Sequence, residues 1–448
     1  MKEQLDFIGI GIGPFNLSIS ALAYSLTDFQ SRFFERKPHF AWHPGMLVPD
    51  CHMQTSFLKD LVSAVDPCNP FSFINYLVQK KKFYRFLTTE MRTVSRDEFS
   101  DYLGWAADNM DNLSFDAPVY AVDFDEKRRR FIIETQDGVW QARHVCVGIG
   151  KQPYLPECVN DISDDCFHAS EMNLRKPTLA GKTVTIVGGG QSGADLFLNI
   201  LRGEWGEPTH INWVSRRNNF NALDEAPFAN EYFTPDYVTS FLGLEENTKQ
   251  NMLAEQKMTS DGITAESLLA IYRELYHRFD VLGQPRNASL LPSRSLIALD
   301  KTGSRHQLKL HHKLDNGHDL LQSDVVIFAT GYRTASPAVL SPLHQRLSVT
   351  TDGNYRINPD FTLDWQGPAD NHLFAVNSSM QQHGISEPQL SLMAWRSANI
   401  LNRAIGREHF DLSTSPSFIE WRSGINHAMT RNNNTADNQN SSDNHNLA

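Results

Sequence analysis

An α/β fold with two parallel, doubly wound sheets is what this sequence predicts, on three observations. DFIGIGIGPFNLS (6–18) and VTIVGGGQSGADLF (184–197) each read as an apolar strand, a glycine-rich turn and the opening of a helix. Each has a second strand behind it, Arg32-Phe33-Phe34-Glu35 and Ile211-Asn212-Trp213-Val214. Strand-like and helix-like segments then alternate along most of the remaining chain. Together these describe two Rossmann-like dinucleotide-binding domains, with a small helical segment beside them.

Taken in order, Phe7-Ile8-Gly9-Ile10 suits a strand buried on both faces, and Leu17 to Leu26 suits the helix that follows. Residues 70–80 and 97–110 read as helices. Strands at 119–124, 130–135 and 144–149 read as a β-meander returning to the first sheet. A Pro-rich joint, KQPYLP (151–156), precedes the second glycine turn. AESLLAIYRELYHRF (265–279) has helical periodicity, and strands return at 308–312 and 324–329. The expected division is a first unit in two parts, 1–178 and 323–428, and a second unit of 179–224 with 275–322. A helical segment covers 225–274, and a polar, disordered tail covers 429–448.

Composition narrows the class. The 448 residues are 40% hydrophobic and 21% charged, as in ordinary globular proteins, with room for two or three domains. Against 41 Lys and Arg stand 52 Asp and Glu, a formal charge of -11 that argues against nucleic-acid partners. The five cysteines are scattered and form no C-x-x-C, so neither a zinc ribbon nor a redox dithiol is expected. His39, His43, His52, His311 and His312 lack ligand-like spacing, and no metal is expected. The N-terminus lacks a signal-peptide layout and no uncharged apolar run reaches membrane-spanning length, so the expected location is the cytoplasm.

The two turns differ in what they should hold. In Gly11-Ile12-Gly13-Pro14-Phe15-Asn16 the first glycine permits the tight turn and the second lets a pyrophosphate approach. Glu35, 22 residues past Gly13, is placed to accept hydrogen bonds from a ribose. The second turn, Gly188-Gly189-Gly190-Gln191-Ser192-Gly193, carries all three glycines, but its second strand ends in Ser215-Arg216-Arg217. A carboxylate there would repel a 2′-phosphate and a guanidinium would pair with it, so this turn favours NADPH. One acidic and one basic site imply FAD in the first and NADPH in the second.

Two classes of flavoprotein share such a layout. Disulfide reductases need a cysteine pair beside the flavin, and none is present. Monooxygenases need a dry pocket where reduced flavin meets O2. The F-x-G-x-x-x-H-x-x-x-W signature of Baeyer–Villiger enzymes fails here: its nearest register, on His168, gives Ile162, Asp164 and Met172. By contrast Asp324 to Tyr332 followed by Pro337, with GPFN (13–16), HMQTSFLKDLV (52–62), FANEYF (228–233) and HGISEPQLS (383–391), resembles the microbial N-hydroxylating monooxygenases. The likeness runs from about Asp6 to Trp421, and it is greatest to the lysine-hydroxylating branch of the lysine/ornithine N-monooxygenase family.

That resemblance implies roles residue by residue. FAD contacts fall on Gly11, Gly13, Pro14, Glu35, Lys37, Trp42, His43, Gln54, Val119, Pro388, Gln389 and Leu390. NADPH contacts fall on Gly188, Gly190, Gln191, Ser192, Gly193 and Arg216. Substrate contacts fall on Lys59, Asn230, Glu231, Tyr232, Phe233 and Ser391, with Lys59 a point charge for a carboxylate and Asn230 able to donate and accept. Thr259-Ser260-Asp261 stands where the ornithine enzymes have N-Y-S, so those contacts are not carried over. The implied reaction converts L-lysine, NADPH and O2 to N6-hydroxy-L-lysine, NADP+ and water through a C4a-hydroperoxyflavin, for a hydroxamate siderophore of the aerobactin type. No residue is singled out as a general base. The alternatives are the same chemistry on L-ornithine or a diamine, or an uncoupled NADPH oxidase or redox sensor. Family likeness also implies a homo-oligomer, a tetramer by analogy, and leaves peripheral attachment to the inner membrane open.

Overall fold

The computed structural model describes residues 4–334, 336–415 and 417–423. The tail expected at 429–448 lies outside the described residues.

The first sheet has the order Leu113–Ser114, Ser31–Phe34, Gln4–Ile10, Gly138–Val147, Arg130–Thr135, Val119–Asp125, with Leu373–Ala375 also pairing on Gly138–Val147. Its central strands are parallel, Gln4–Ile10 lying between Ser31–Phe34 and Gly138–Val147. The expected meander is present as two antiparallel pairings, though its third strand starts at Gly138 instead of 144. Phe7, Phe33, Cys146 and Phe374 pack into one face, and Ile8, Ile10, Phe34, Val145 and Val147 into the other. Burial on both faces accounts for the uninterrupted apolar run of the first strand.

Local signals set the helix ends. The helix after the first turn begins at Pro14, where the missing N–H costs no hydrogen bond, and ends at Ala23. The helix expected at 70–80 runs Phe73–Gln79, and a further short helix that was not expected, Phe83–Thr88, follows it. Arg96–Asp108 starts under Ser95, whose hydroxyl accepts from the Glu98 N–H at 3.1 Å. Met393–Ile405 lies against Pro14–Ala23 and closes that side of the first sheet.

The second sheet is wholly parallel, in the order Ala288–Leu291, His210–Val214, Thr183–Val187, Val325–Phe328, Cys166–His168. This moves two of the expected boundaries. Val325–Phe328 was expected in the returning part of the first unit and Cys166–His168 in its leading part, yet both pair in the second sheet. A buried apolar run looks the same in either sheet, because a parallel strand's partners arrive through long crossovers. Arg294–Thr302, Arg305–His312 and His318–Ser323 form a separate antiparallel sheet. The helix expected at 265–279 runs Ala265–Tyr276 and finishes in a π turn, His277–Val281.

The chain crosses between the two sheets twice, and the crossings pair with each other. Gln152–Pro153, in the Pro-rich joint, is antiparallel to Tyr332–Arg333, and the Tyr154 N–H donates to the Gly331 carbonyl at 2.9 Å. Among the described residues no helix is long and apolar enough to cross a membrane, and no cysteine is in a disulfide.

Candidate active site

The first turn is built for a close approach. Gly11 has φ +86°, and a Cβ there would lie 2.6 Å from the Gly148 carbonyl oxygen, so only glycine fits. Gly13 differs: a Cβ on it would meet only that oxygen, at 4.0 Å, and otherwise face open space. Its helix carries no side-chain cap, leaving first-turn N–H groups free for an anion. Asn16, in place of the third glycine, donates from its amide to the Ile10 and Gly11 carbonyls at 3.1 and 2.8 Å. It locks the turn from behind. The Glu35 carboxylate accepts from the Ile12 N–H at 2.9 Å and the Lys37 N–H at 3.1 Å, so it sits where a ribose beside the turn would reach it. Lys37 itself donates to the Ala41 carbonyl at 3.1 Å. Trp42 packs edge-on to Phe99, and His43, at φ 45°, faces the Tyr332 ring across 5.7 Å. Val119 begins the outermost strand, and Pro388-Gln389-Leu390 lead into the short turn before the closing helix. This cradle fits a dinucleotide such as FAD.

In the second turn Gly188 has φ +139°, and a Cβ would come within 2.0 Å of the Ala329 oxygen. Gly193 brings the helix against the strand, its Cβ position 2.1 Å from the Gly188 oxygen. Gly190 and Ser192 lie at the helix start. The two arginines at the end of the second strand divide their work. Arg217 donates to the Gly189 and Asp261 carbonyls at 3.1 and 2.9 Å, which ties the turn down. Arg216 is exposed and has no hydrogen bond or ion pair among the described residues. It is the guanidinium available for a 2′-phosphate. We therefore expect R216Q to raise the KM for NADPH about 10- to 100-fold while leaving that for NADH nearly unchanged. R217Q should impair both coenzymes alike. Steady-state kinetics with each coenzyme would check this, and an equal loss with NADH in R216Q would contradict it.

Beside the helix that follows the second turn lies a cavity of about 800 Å³ lined by Gln54, Lys59, Gln191, Asn230, Phe233, Gln389 and Ser391, among others. Two of the residues expected to contact FAD, one expected to contact NADPH and four expected to contact substrate therefore share one space. The Gln54 amide meets the Gln191 carbonyl oxygen at 3.4 Å. Gln191 is held by the Thr264 N–H at 2.9 Å and itself donates to Asp195 and Ser267 at 2.7 and 2.9 Å. The Lys59 Nζ lies 5.9 Å from the centre of the Phe233 ring, with no carboxylate in ion-pair range among the described residues. Burial pushes its ammonium below the usual lysine range.

Two expected substrate contacts lie elsewhere. Ala229–Phe233 is a 3-10 turn, in which residues three apart share a side. Asn230 and Phe233 face the cavity, whereas Glu231 accepts from the Ser417 hydroxyl at 3.1 Å and Tyr232 packs on Tyr237 and Trp421. Sequence reasoning also passed over Asp195. It lines the cavity one helical turn after Gln191; burial pushes its carboxyl up, against the pull of Arg96, whose guanidinium is 3.6 Å away. The signal was an acid four residues beyond the glutamine of the glycine turn. Thr259 and Ser260, left unassigned from sequence, line the same cavity.

A family model described as L-lysine 6-monooxygenase/L-ornithine 5-monooxygenase matches residues 3–334. The chain belongs to that family. Within the L-lysine 6-monooxygenase/L-ornithine 5-monooxygenase family, it is 63% identical over 424 residues to the L-lysine N6-monooxygenase of Escherichia coli, covering 95% of this chain and all of that one. Its fold matches the cadaverine monooxygenase of the desferrioxamine pathway from Erwinia amylovora, bound to FAD, with a TM-score of 0.90 at 27% identity, over 95% of this chain and 100% of that one. The ornithine N-hydroxylase of Kutzneria sp. 744, with reduced FAD, NADP+ and L-ornithine, matches with a TM-score of 0.82 at 25% identity, over 90% and 99%.

Proposed function

We propose that this enzyme hydroxylates the side-chain amine of L-lysine, taking electrons from NADPH and one oxygen atom from O2, to supply N6-hydroxy-L-lysine for a hydroxamate siderophore. The observation that carries the reading is Lys59: a half-buried ammonium without an anionic partner among the described residues, in the cavity where Gln54 and Gln191 meet. A free amino acid supplies that partner through its α-carboxylate. Asn230 and Ser391 then offer a donor and acceptors for the polar end of the substrate. A diamine would leave Lys59 facing no charge.

FAD, held by the first turn, Glu35 and the 388–390 segment, would supply the oxygen-activating chemistry; NADPH, held by the second turn and Arg216, would supply the hydride. The chain's own part is positioning and dryness. Gln191, fixed by Thr264, Asp195 and Ser267, holds the Gln54 side chain at the junction of the two units. Phe233 and Met53 give the cavity apolar wall, which lowers the cost of carrying the reacting amine neutral, the form that has a lone pair to offer. The chain is also read as a homo-oligomer. Leu269, Tyr272 and Tyr276 leave an exposed apolar stripe on the helix Ala265–Tyr276 that supports self-association, and sedimentation would give the number of copies.

The deciding experiment measures hydroxylamine formed per NADPH oxidised, with FAD supplied, for L-lysine, L-ornithine, cadaverine and no amine. Near-stoichiometric product with L-lysine alone is expected. Coupling only with L-ornithine or cadaverine would change the substrate, and peroxide without hydroxylamine would replace hydroxylation by an oxidase activity.

A further inference from the structure

At the opposite end of the first sheet from the glycine turn, two arginines on adjacent strands follow the last pair of a ladder. The antiparallel register pairs Ile132 with Gln141 and ends at Phe131 with Ala142, so Arg130 and Arg143 are the next residue on each strand beyond the last pair. Like charges close together on adjacent strands repel each other. Among the described residues no neighbouring carboxylate makes an ion pair with either, and Asp6 accepts from the Gln30 N–H at 2.9 Å. Asp125 is taken by Arg128 at 2.7 Å and Asp370 by Arg129 at 2.9 Å. Arg130 and Arg143 have no carboxylate within ion-pair distance among the described residues. Their polar contacts are few: the Arg143 Nε donates to the Asp370 carbonyl at 3.3 Å, and an Arg130 Nη donates to the Arg129 carbonyl at 3.1 Å. The Arg130 Nε is buried and has no hydrogen-bond partner among the described residues.

Both guanidiniums line a recess of about 370 Å³, together with Arg128, Arg129, Asp6 and Asp370. A second recess of about 270 Å³ shares Asp6 and Arg143 with it and adds Arg407 and His409. Asp6 stands five positions before Gly11, on the strand that leads into the turn, roughly 17 Å by strand rise. The space is therefore separate from the cofactor turn.

We propose that this recess binds a phosphate dianion, carried as a monoester on a small hydroxylated metabolite. Two guanidinium forks from adjacent strands match a tetrahedral dianion, which supplies the countercharge they lack. Asp6 and Asp370, which also line the recess, would repel a bare anion but accept hydrogen bonds from hydroxyl groups on the body of a larger ligand. That favours a monoester over free phosphate.

The test is calorimetric titration of the FAD-loaded enzyme, saturated with NADP+ so that the coenzyme phosphate positions are filled, at matched ionic strength. Glycerol 3-phosphate and inorganic phosphate are the two probes. Wild-type protein should bind both, the monoester more tightly, and R143Q and R130Q should each bind about tenfold more weakly or worse. Without ligand, R143Q should unfold at a temperature no lower than wild type, because a repulsion has been removed. Tighter binding of inorganic phosphate would keep the site and assign it to free phosphate. Undiminished binding in both variants, no millimolar binding by wild type, or a lowered unfolding temperature of ligand-free R143Q would each overturn the proposal, the last by making the arginine a structural one.

Discussion

Replacing Lys59 by alanine is expected to raise the KM for L-lysine about 10- to 100-fold, with a smaller change in kcat. Losing one charge-assisted contact costs about 1.5–3 kcal/mol, and that contact holds the amino-acid end of the substrate rather than the reacting amine. NADPH oxidation without substrate should be unaffected. The pH dependence follows from the same residue. Burial holds the Lys59 ammonium below the usual 10.5, so its proton is lost earlier as pH rises, whereas a bound carboxylate favours the charged form. Affinity for L-lysine is thus full below the Lys59 pKa of the free enzyme and falls as pH rises through it, before 10.5 is reached. Wild type should show that alkaline rise in KM and K59A should not. An unchanged KM in K59A would remove the carboxylate anchor and favour a diamine substrate.

Changing Gly11 to alanine is expected to have the largest effect on the holoenzyme. The new Cβ would meet backbone on every near side, the Gly148 oxygen at 2.6 Å, the Gly148 carbon at 3.0 Å and the Ile149 Cα at 3.2 Å, at a φ of +86°. None of these can swing away. Strain and overpacking together cost about 2–4 kcal/mol, and the enzyme should lose both its FAD and several degrees of thermal stability. G13A separates the two effects. Its Cβ enters open space, so the apoprotein should melt like wild type while FAD retention falls, because the methyl group occupies the path of the pyrophosphate. Flavin absorbance per protein after gel filtration, with a melting curve for each apoprotein, would check both. Full flavin retention in G13A would mean the cofactor does not approach there.

What could be read from sequence was what is local. Each glycine turn, with its preceding strand and the acid or arginine that closes the second strand, is a short stretch whose meaning does not depend on distant contacts. Sheet membership was not of that kind. Val325–Phe328 is apolar at all four positions and fully buried, a pattern equally at home in either sheet. The family motif around Asn230 named a contiguous run as substrate contacts, but the 3-10 turn divides it between the cavity and Trp421. Backbone winding, not residue type, made that division. Asp195 was hidden for a related reason: its importance comes from Arg96, which is 99 positions earlier and reaches it only once the two units meet.

The paired crossings Gln152–Pro153 and Tyr332–Arg333 also set an order of assembly. They make everything between them a closed excursion whose ends lie side by side. The second sheet therefore has all its strands once residue 328 has left the ribosome. The first sheet does not, because Leu373–Ala375 must still return to Gly138–Val147 across some 228 positions. The later-encoded unit is the earlier one to be complete, and the amino-terminal glycine turn, the first part synthesised, waits for the last strand before its sheet is whole.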